Sequence, residues 1–176
     1  LADYAADPRA AEVFTACDYA AALALAEAGK TDEALAAFEA LGDYADAADK
    51  AALMRYEAAL ALSKTDPAKA IELLEAMGDY VDAAINALEL RYQQAEALIS
   101  TDREAAIAAF RALDYADATD RANQLCYEDA EALLRADRPA AIAAFEALGA
   151  YADAAERVNA LRYEDAAALE KAGDWE

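Results

Sequence analysis

The chain is 176 residues long, with 36 acids against 15 lysines and arginines, a formal net charge of −21 and no histidine. That balance leaves no clustered cations for phosphate, so nucleic acid and anionic membranes are not expected partners; it favours proteins or peptides with basic surfaces. Apolar content is 59%, yet 57 residues are alanine, the strongest helix former, and there are only five glycines and three prolines, which predicts an all-α chain.

The first predicted unit, residues 8–41, reads as a long helix closed by Gly29 and then a short one. Ala34, Leu35, Phe38 and Leu41 give the short helix its i, i+3/i+4, i+7 apolar stripe. Gly42 ends it, the placement glycine favours just past a C-terminus. The phrase "LGDYADAA" at 41–48 follows, and it returns at 77–84, at 113–119 without its glycine, and at 148–155. It predicts a tight turn whose acids, Asp43 and Asp46 in the first copy, stand at N-cap and N3 of the next long helix. In the second unit, 43–77, that helix is expected from about Tyr44 to Leu62. Its short helix opens at Asp66-Pro67, where proline suits the first turn, and closes near Met77. Units at 79–113 and 114–148 repeat the plan, the latter with a short helix from Asp137-Arg138-Pro139 to Leu148. Long helices of about 20 residues and short ones of about 11 are expected. A fifth unit, 150–176, is incomplete. Leu1-Ala2-Asp3-Tyr4 resembles the turn phrase, and Gly173-Asp174-Trp175 stands where a short helix opens. Both ends are expected to cut a repeat of a longer array, and end-to-end self-association follows as an expectation.

The period is regular. Tyr19, Tyr56, Tyr92, Tyr127 and Tyr163 lie 35–37 residues apart, and Tyr44, Tyr80, Tyr115 and Tyr151 keep step with them. So do Phe38, Leu74, Phe110 and Phe145. Such a period marks stacked units that bury their faces on one another. "GKTDEALAAFEAL" at 29–41 resembles the turn and second helix of a tetratricopeptide repeat, with its Ala-x3-Phe pattern, and the later copies extend the resemblance over essentially the whole chain. The period here is about 36 rather than 34. Gly-Asp-Tyr replaces the family's proline after the second helix, and the Trp and Leu-Gly of its first helix are missing. The resemblance implies a single array over 1–176, a right-handed α-solenoid of alternating long and short antiparallel helices. It also implies a concave groove, lined by the first helices, that takes a peptide segment.

Little in the sequence carries chemistry. Without histidine there are no His general bases or triads, serine occurs only at Ser63 and Ser100, and no Gly-rich phosphate loop is present. The acids recur at caps and in i, i+4 pairs, Asp46/Lys50, Asp117/Arg121 and Asp153/Arg157. No enzyme activity, cofactor or metal is expected. Cys17 and Cys126 sit three units apart, on the order of 30 Å at one packed layer per unit, beyond disulfide reach; buried or half-buried thiols are expected.

The copies also locate a candidate ligand face. Counted from Tyr44, Tyr80, Tyr115 and Tyr151, sites 3, 7, 10, 15 and 18 stay apolar or small, whereas sites 5, 8, 9 and 16 vary around an invariant tyrosine at 12. Those offsets share one helical face. Tyr56, Tyr92, Tyr127 and Tyr163, with Glu89, Asn123, Gln124 and Asn159, are the groove candidates. The other reading has each tyrosine wedged between repeats, its hydroxyl bonded to a neighbouring helix. The expected function is a non-enzymatic interaction scaffold or spacer; an idealised or engineered repeat protein without a natural ligand is the alternative, against which stands the copy-to-copy drift. Nothing in the sequence assigns a compartment.

Overall fold

A computed structural model describes residues 8–173. The opening phrase Leu1–Tyr4 and the closing Asp174-Trp175, on which the expectation of cut repeats rests, lie outside them. The described residues are all-helical, without a strand: α1 (Pro8–Glu27), α2 (Thr31–Leu41), α3 (Ala47–Leu62), α4 (Pro67–Ala76), α5 (Ala83–Leu98), α6 (Arg103–Arg111), α7 (Ala118–Leu133), α8 (Arg138–Leu148) and α9 (Ala154–Ala172). The chain divides into two compact units at Leu90/Arg91, each holding two core clusters.

In the first unit, Ala22 of α1, Ala34 and Phe38 of α2, and Ala47 and Ala51 of α3 form one buried cluster. Ala59 of α3, Ala70, Ile71 and Leu74 of α4, and Ala83, Ala87 and Leu90 of α5 form the next. The second unit repeats the recipe with Ala95, Ala106, Phe110, Ala118, Ala122 and Leu125, then with Ala130, Phe145, Ala154, Val158 and Leu161. One large side chain per short helix, Phe38, Leu74, Phe110 or Phe145, is at most 1% exposed. It is ringed by alanines whose missing bulk lets the helix backbones come close. The alanine content is therefore used as spacing, at positions fixed by the repeat.

Two sequence expectations are corrected here. The long helices α3, α5 and α7 have 16 residues each and open at Ala47, Ala83 and Ala118, three residues later than expected. The phrase "LGDYADAA" holds two consecutive turns, not one, before its helix starts: Tyr44 N–H donates to Leu41 O at 3.2 Å and Ala47 N–H to Tyr44 O at 3.0 Å. The first turn needs Gly42 at φ +55, and the second places Ala45 at φ +51, a region that non-glycine residues rarely enter. Asp46 holds the N-cap position but makes no side-chain cap bond; its carboxylate is used elsewhere. By contrast Asp66, Asp102 and Asp137 do cap α4, α6 and α8, each accepting the N–H three residues on at 3.0 Å. Where the turn lacks its glycine, before Asp114, α6 closes at Arg111, one residue past Phe110, whereas α2 runs three residues past Phe38.

Candidate functional site

Tyr19, Tyr56, Tyr92 and Tyr127, four of the ladder of five tyrosines at the repeat period, each sit at a joint between a long helix and the turn that opens the next. Tyr19 donates its hydroxyl to Asp46, Tyr56 to Asp82, Tyr92 to Asp117 at 2.7 Å, and Tyr127 to Asp153. Each ring lies edge-on to the turn tyrosine, with centroids 5.8 Å apart for Tyr19–Tyr44 and 6.2 Å for Tyr92–Tyr115. Where the short helix carries phenylalanine, that ring completes the joint, at 5.1 Å for Tyr92–Phe110 and 5.2 Å for Tyr127–Phe145. The two left-handed turns thus bring Tyr44 and Asp46 together onto Tyr19. That is what the repeated phrase does, and why its acid is not free to cap.

The electrostatics follow from that contact. Accepting the Tyr19 hydroxyl holds the Asp46 carboxyl below its ordinary range, helped by Lys50. Tyr127, and then Arg157, do the same for Asp153. The hydrogen bond to Asp117 is the main cause that raises Tyr92 to about 12; Tyr19, Tyr56 and Tyr127 are raised for the same reason.

In the second unit a second polar pair flanks each joint one turn further on. Arg121 Nε donates to Glu96 at 2.8 Å and Arg157 Nη2 to Glu131 at 2.7 Å. The equivalent positions in the first unit are Leu23 with Lys50 and Leu60 with Asn86. Lys50 turns to Asp46 at 3.4 Å, and Asn86 donates to the Tyr56 hydroxyl at 2.8 Å and to Asp82 at 3.0 Å. The expected Asp153/Arg157 pair forms at 3.4 Å, but Arg121 reaches across to Glu96 and to Gln124 instead. Two further arginines act as clasps. Arg103, in the first turn of α6, donates to Asp129 at 2.6 Å, to Glu128 at 2.7 Å and to Leu125 O at 3.0 Å. Arg138 repeats this from α8 onto Leu161 O at 3.1 Å, Glu164 at 2.7 Å and, as an ion pair, Asp165 at 2.6 Å.

The candidate ligand residues are not drawn into one cluster. Tyr56, Tyr92 and Tyr127 are half-buried, their hydroxyls spent on the joints. Tyr163 is 77% exposed. Glu89, Gln124 and Asn159 are exposed and Asn123 is half-buried; Gln124 bridges Arg121 and Glu128. Cys17 is exposed, against the expectation of a sheltered thiol; Cys126 is half-buried. Cys126 stands where Arg55 and Arg162 stand in other units. Those arginines bond Glu39 and Glu146, whereas Cys126 faces Arg111, whose Nη2 lies 3.2 Å from its sulfur. The glutamate and arginine positions have thus changed together.

Open grooves recur rather than concentrate. One of about 440 Å³ is lined by Ala52, Arg55, Leu73, Ala76, Met77 and Tyr80. A second, of about 220 Å³, uses Cys126, Ala144, Ala147 and Leu148, four positions equivalent to lining residues of the first. Among the described residues no group of three or more acids and cysteines is placed to hold a metal ion, and no helix is long and apolar enough to cross a membrane. No family model, curated protein or solved structure matches the chain. The joint acceptors, the aspartates of the turn, were missed as such by the sequence reading. The signal was available: each ladder tyrosine is followed 25–27 residues later by an aspartate in every complete copy.

Proposed function

We propose that the chain is a non-enzymatic interaction scaffold or spacer, one section of a tetratricopeptide-like array in which long and short helices pack antiparallel and wind as a right-handed solenoid over the whole of 1–176. The observation that carries this reading is the four-fold recurrence of one joint, tyrosine on turn aspartate beside the short helix's large apolar residue. The turn aspartates and the Glu96–Arg121 and Glu131–Arg157 pairs recur at equivalent places along the chain, which suits holding helices in register. The face left to vary between copies, carrying Tyr163, Glu89, Asn123, Gln124 and Asn159, lines the concave side and takes a protein or peptide segment, basic in keeping with the net charge.

Duplicating residues 114–148 directly after Leu148 tests the array. The expected product folds with unchanged helicity per residue. Its longest dimension in small-angle X-ray scattering grows by one helix layer, about 10 Å. A product that fails to fold, or that folds without lengthening, contradicts the reading.

A further inference from the structure

The first unit exposes large aliphatic side chains where its sister repeats carry polar or small ones. Leu53 and Leu60 on α3 are 47% and 38% exposed, and Ile85 on α5 and Val81 in the turn before it are 56% and 71% exposed. The residues equivalent to Ile85 are Asp49, Asp120 and Glu156; those equivalent to Leu60 are the half-buried Leu23, then Glu96, Glu131 and Ala167; those equivalent to Leu53 are Glu89, Gln124 and Ala160. The joints at Tyr92 and Tyr127 therefore close without large aliphatic groups at these sites. Val81 adds an independent mark. It sits at φ +50, where the other copies place alanine, and a β-branched residue there is strained. An apolar side chain is kept at a conformational cost and left in water.

The four exposed positions flank one joint, that of Tyr56. Leu53 and Leu60 lie two turns apart on α3, each one turn from Tyr56, and both are exposed. The Tyr56 hydroxyl meets Asp82 and Asn86, the sequence neighbours of Val81 and Ile85. Asp49, Glu57, Asp82 and Glu89, all exposed, punctuate the same stretch.

We infer that this strip is a docking surface for a basic amphipathic helix of another protein, its apolar face on Leu53, Leu60, Val81 and Ile85 and its lysines or arginines on the acidic rim. Charge complementarity chooses the occupant: a second copy, itself at −21, brings the same acidic rim to the contact and is repelled. The inference rests on the scaffold reading and names the class of partner.

The test uses the full chain and a synthetic helical peptide of about 18 residues with leucines on one face and lysines on the other, beside a control of the same composition with its leucines scattered. Binding is read by fluorescence anisotropy, the site by methyl NMR, and stability by the thermal midpoint. The Ile85→Asp, Leu53→Gln double variant carries residues found in sister repeats, so it is expected to fold with an unchanged midpoint. It should weaken binding of the amphipathic peptide roughly tenfold or more. Val81→Ala is expected to weaken binding while leaving the midpoint unchanged or raised, and the control peptide to bind no better than the double variant allows. Equal binding by the double variant, or equal binding of the control peptide, means bare charge attraction and overturns the inference. A falling midpoint in the double variant assigns the strip to packing and does the same. Sedimentation that shows the wild type dimeric and the double variant monomeric gives the strip to a second copy and also overturns it. None of these outcomes touches the lengthening expected of the duplicated array.

Discussion

A tyrosine that donates to an aspartate is a joint with two titration limits. Because the folded tyrosines are raised above their ordinary value, with Tyr92 at about 12, their contribution is complete below about pH 10 and lost as pH climbs through the raised values. Because Asp46 and Asp153 are depressed, their contribution is present above the ordinary carboxylate range and lost as pH falls through the depressed values. Helicity followed by far-UV circular dichroism should therefore hold flat through neutral pH and fall at both extremes. At the alkaline limit, loss of helix should coincide with the tyrosinate absorbance of the ladder tyrosines. Ladder ionisation at an ordinary tyrosine pH with helicity intact is the contrary result. Within the joint the apolar member carries more than the polar one. Phe110 is fully buried, so Phe110→Ala should cost about 3–5 kcal/mol, against about 0.5–1.5 kcal/mol for Tyr92→Phe, both measured by urea unfolding. The flanking pair is tested by transplant. Glu96→Leu with Arg121→Asn copies Leu60 and Asn86, and the double variant should recover about 0.2–1 kcal/mol relative to the sum of its singles.

At the scale of elements, helix existence and type were legible because alanine content, glycine punctuation and the Phe38-centred stripe all point the same way. The first residues of the long helices were not. Asp43 and Asp46 read as a cap, and a single sequence gives no sign that Ala45 turns left-handed, since alanine has no preference for that region. The aspartate had a stronger use, as acceptor for a tyrosine 27 residues earlier, and that non-local bond set the turn. Ala45, Ala116 and Ala152, at φ +48 to +51, are accordingly places where glycine relieves strain. Ala116→Gly is expected to stabilise by about 0.5–1 kcal/mol in urea unfolding, and a destabilisation would mean that the alanine methyl packs in the turn.

Over the whole chain the repeat carried the reading furthest. Counting tyrosines from Tyr19 to Tyr163 gave the period, and with it a groove reading and a packing reading of those tyrosines, but not the turn aspartates that make the four joints. It could not say which ladder residues are occupied, because an aspartate in a turn and an aspartate at a ligand face look alike in sequence. Tyr163, identical in type to Tyr127 yet 77% exposed, is told apart only by its surroundings. The alternation of Glu39 with Arg55 and of Arg111 with Cys126 was equally visible in the copies, but it became a contact only once α2 and α3, and α6 and α7, were seen to pack. If stability resides in separate joints, damage at one should spread only to its neighbours. Native-state hydrogen exchange on Phe110→Ala measures this most directly. The expected result is faster exchange in α6, in α7 and in the second half of α5, with the slow amides around Ala22 and Ala34 keeping their wild-type rates. A uniform acceleration of every slow amide from α1 to α9 would show one global core instead, and would contradict a fold built joint by joint.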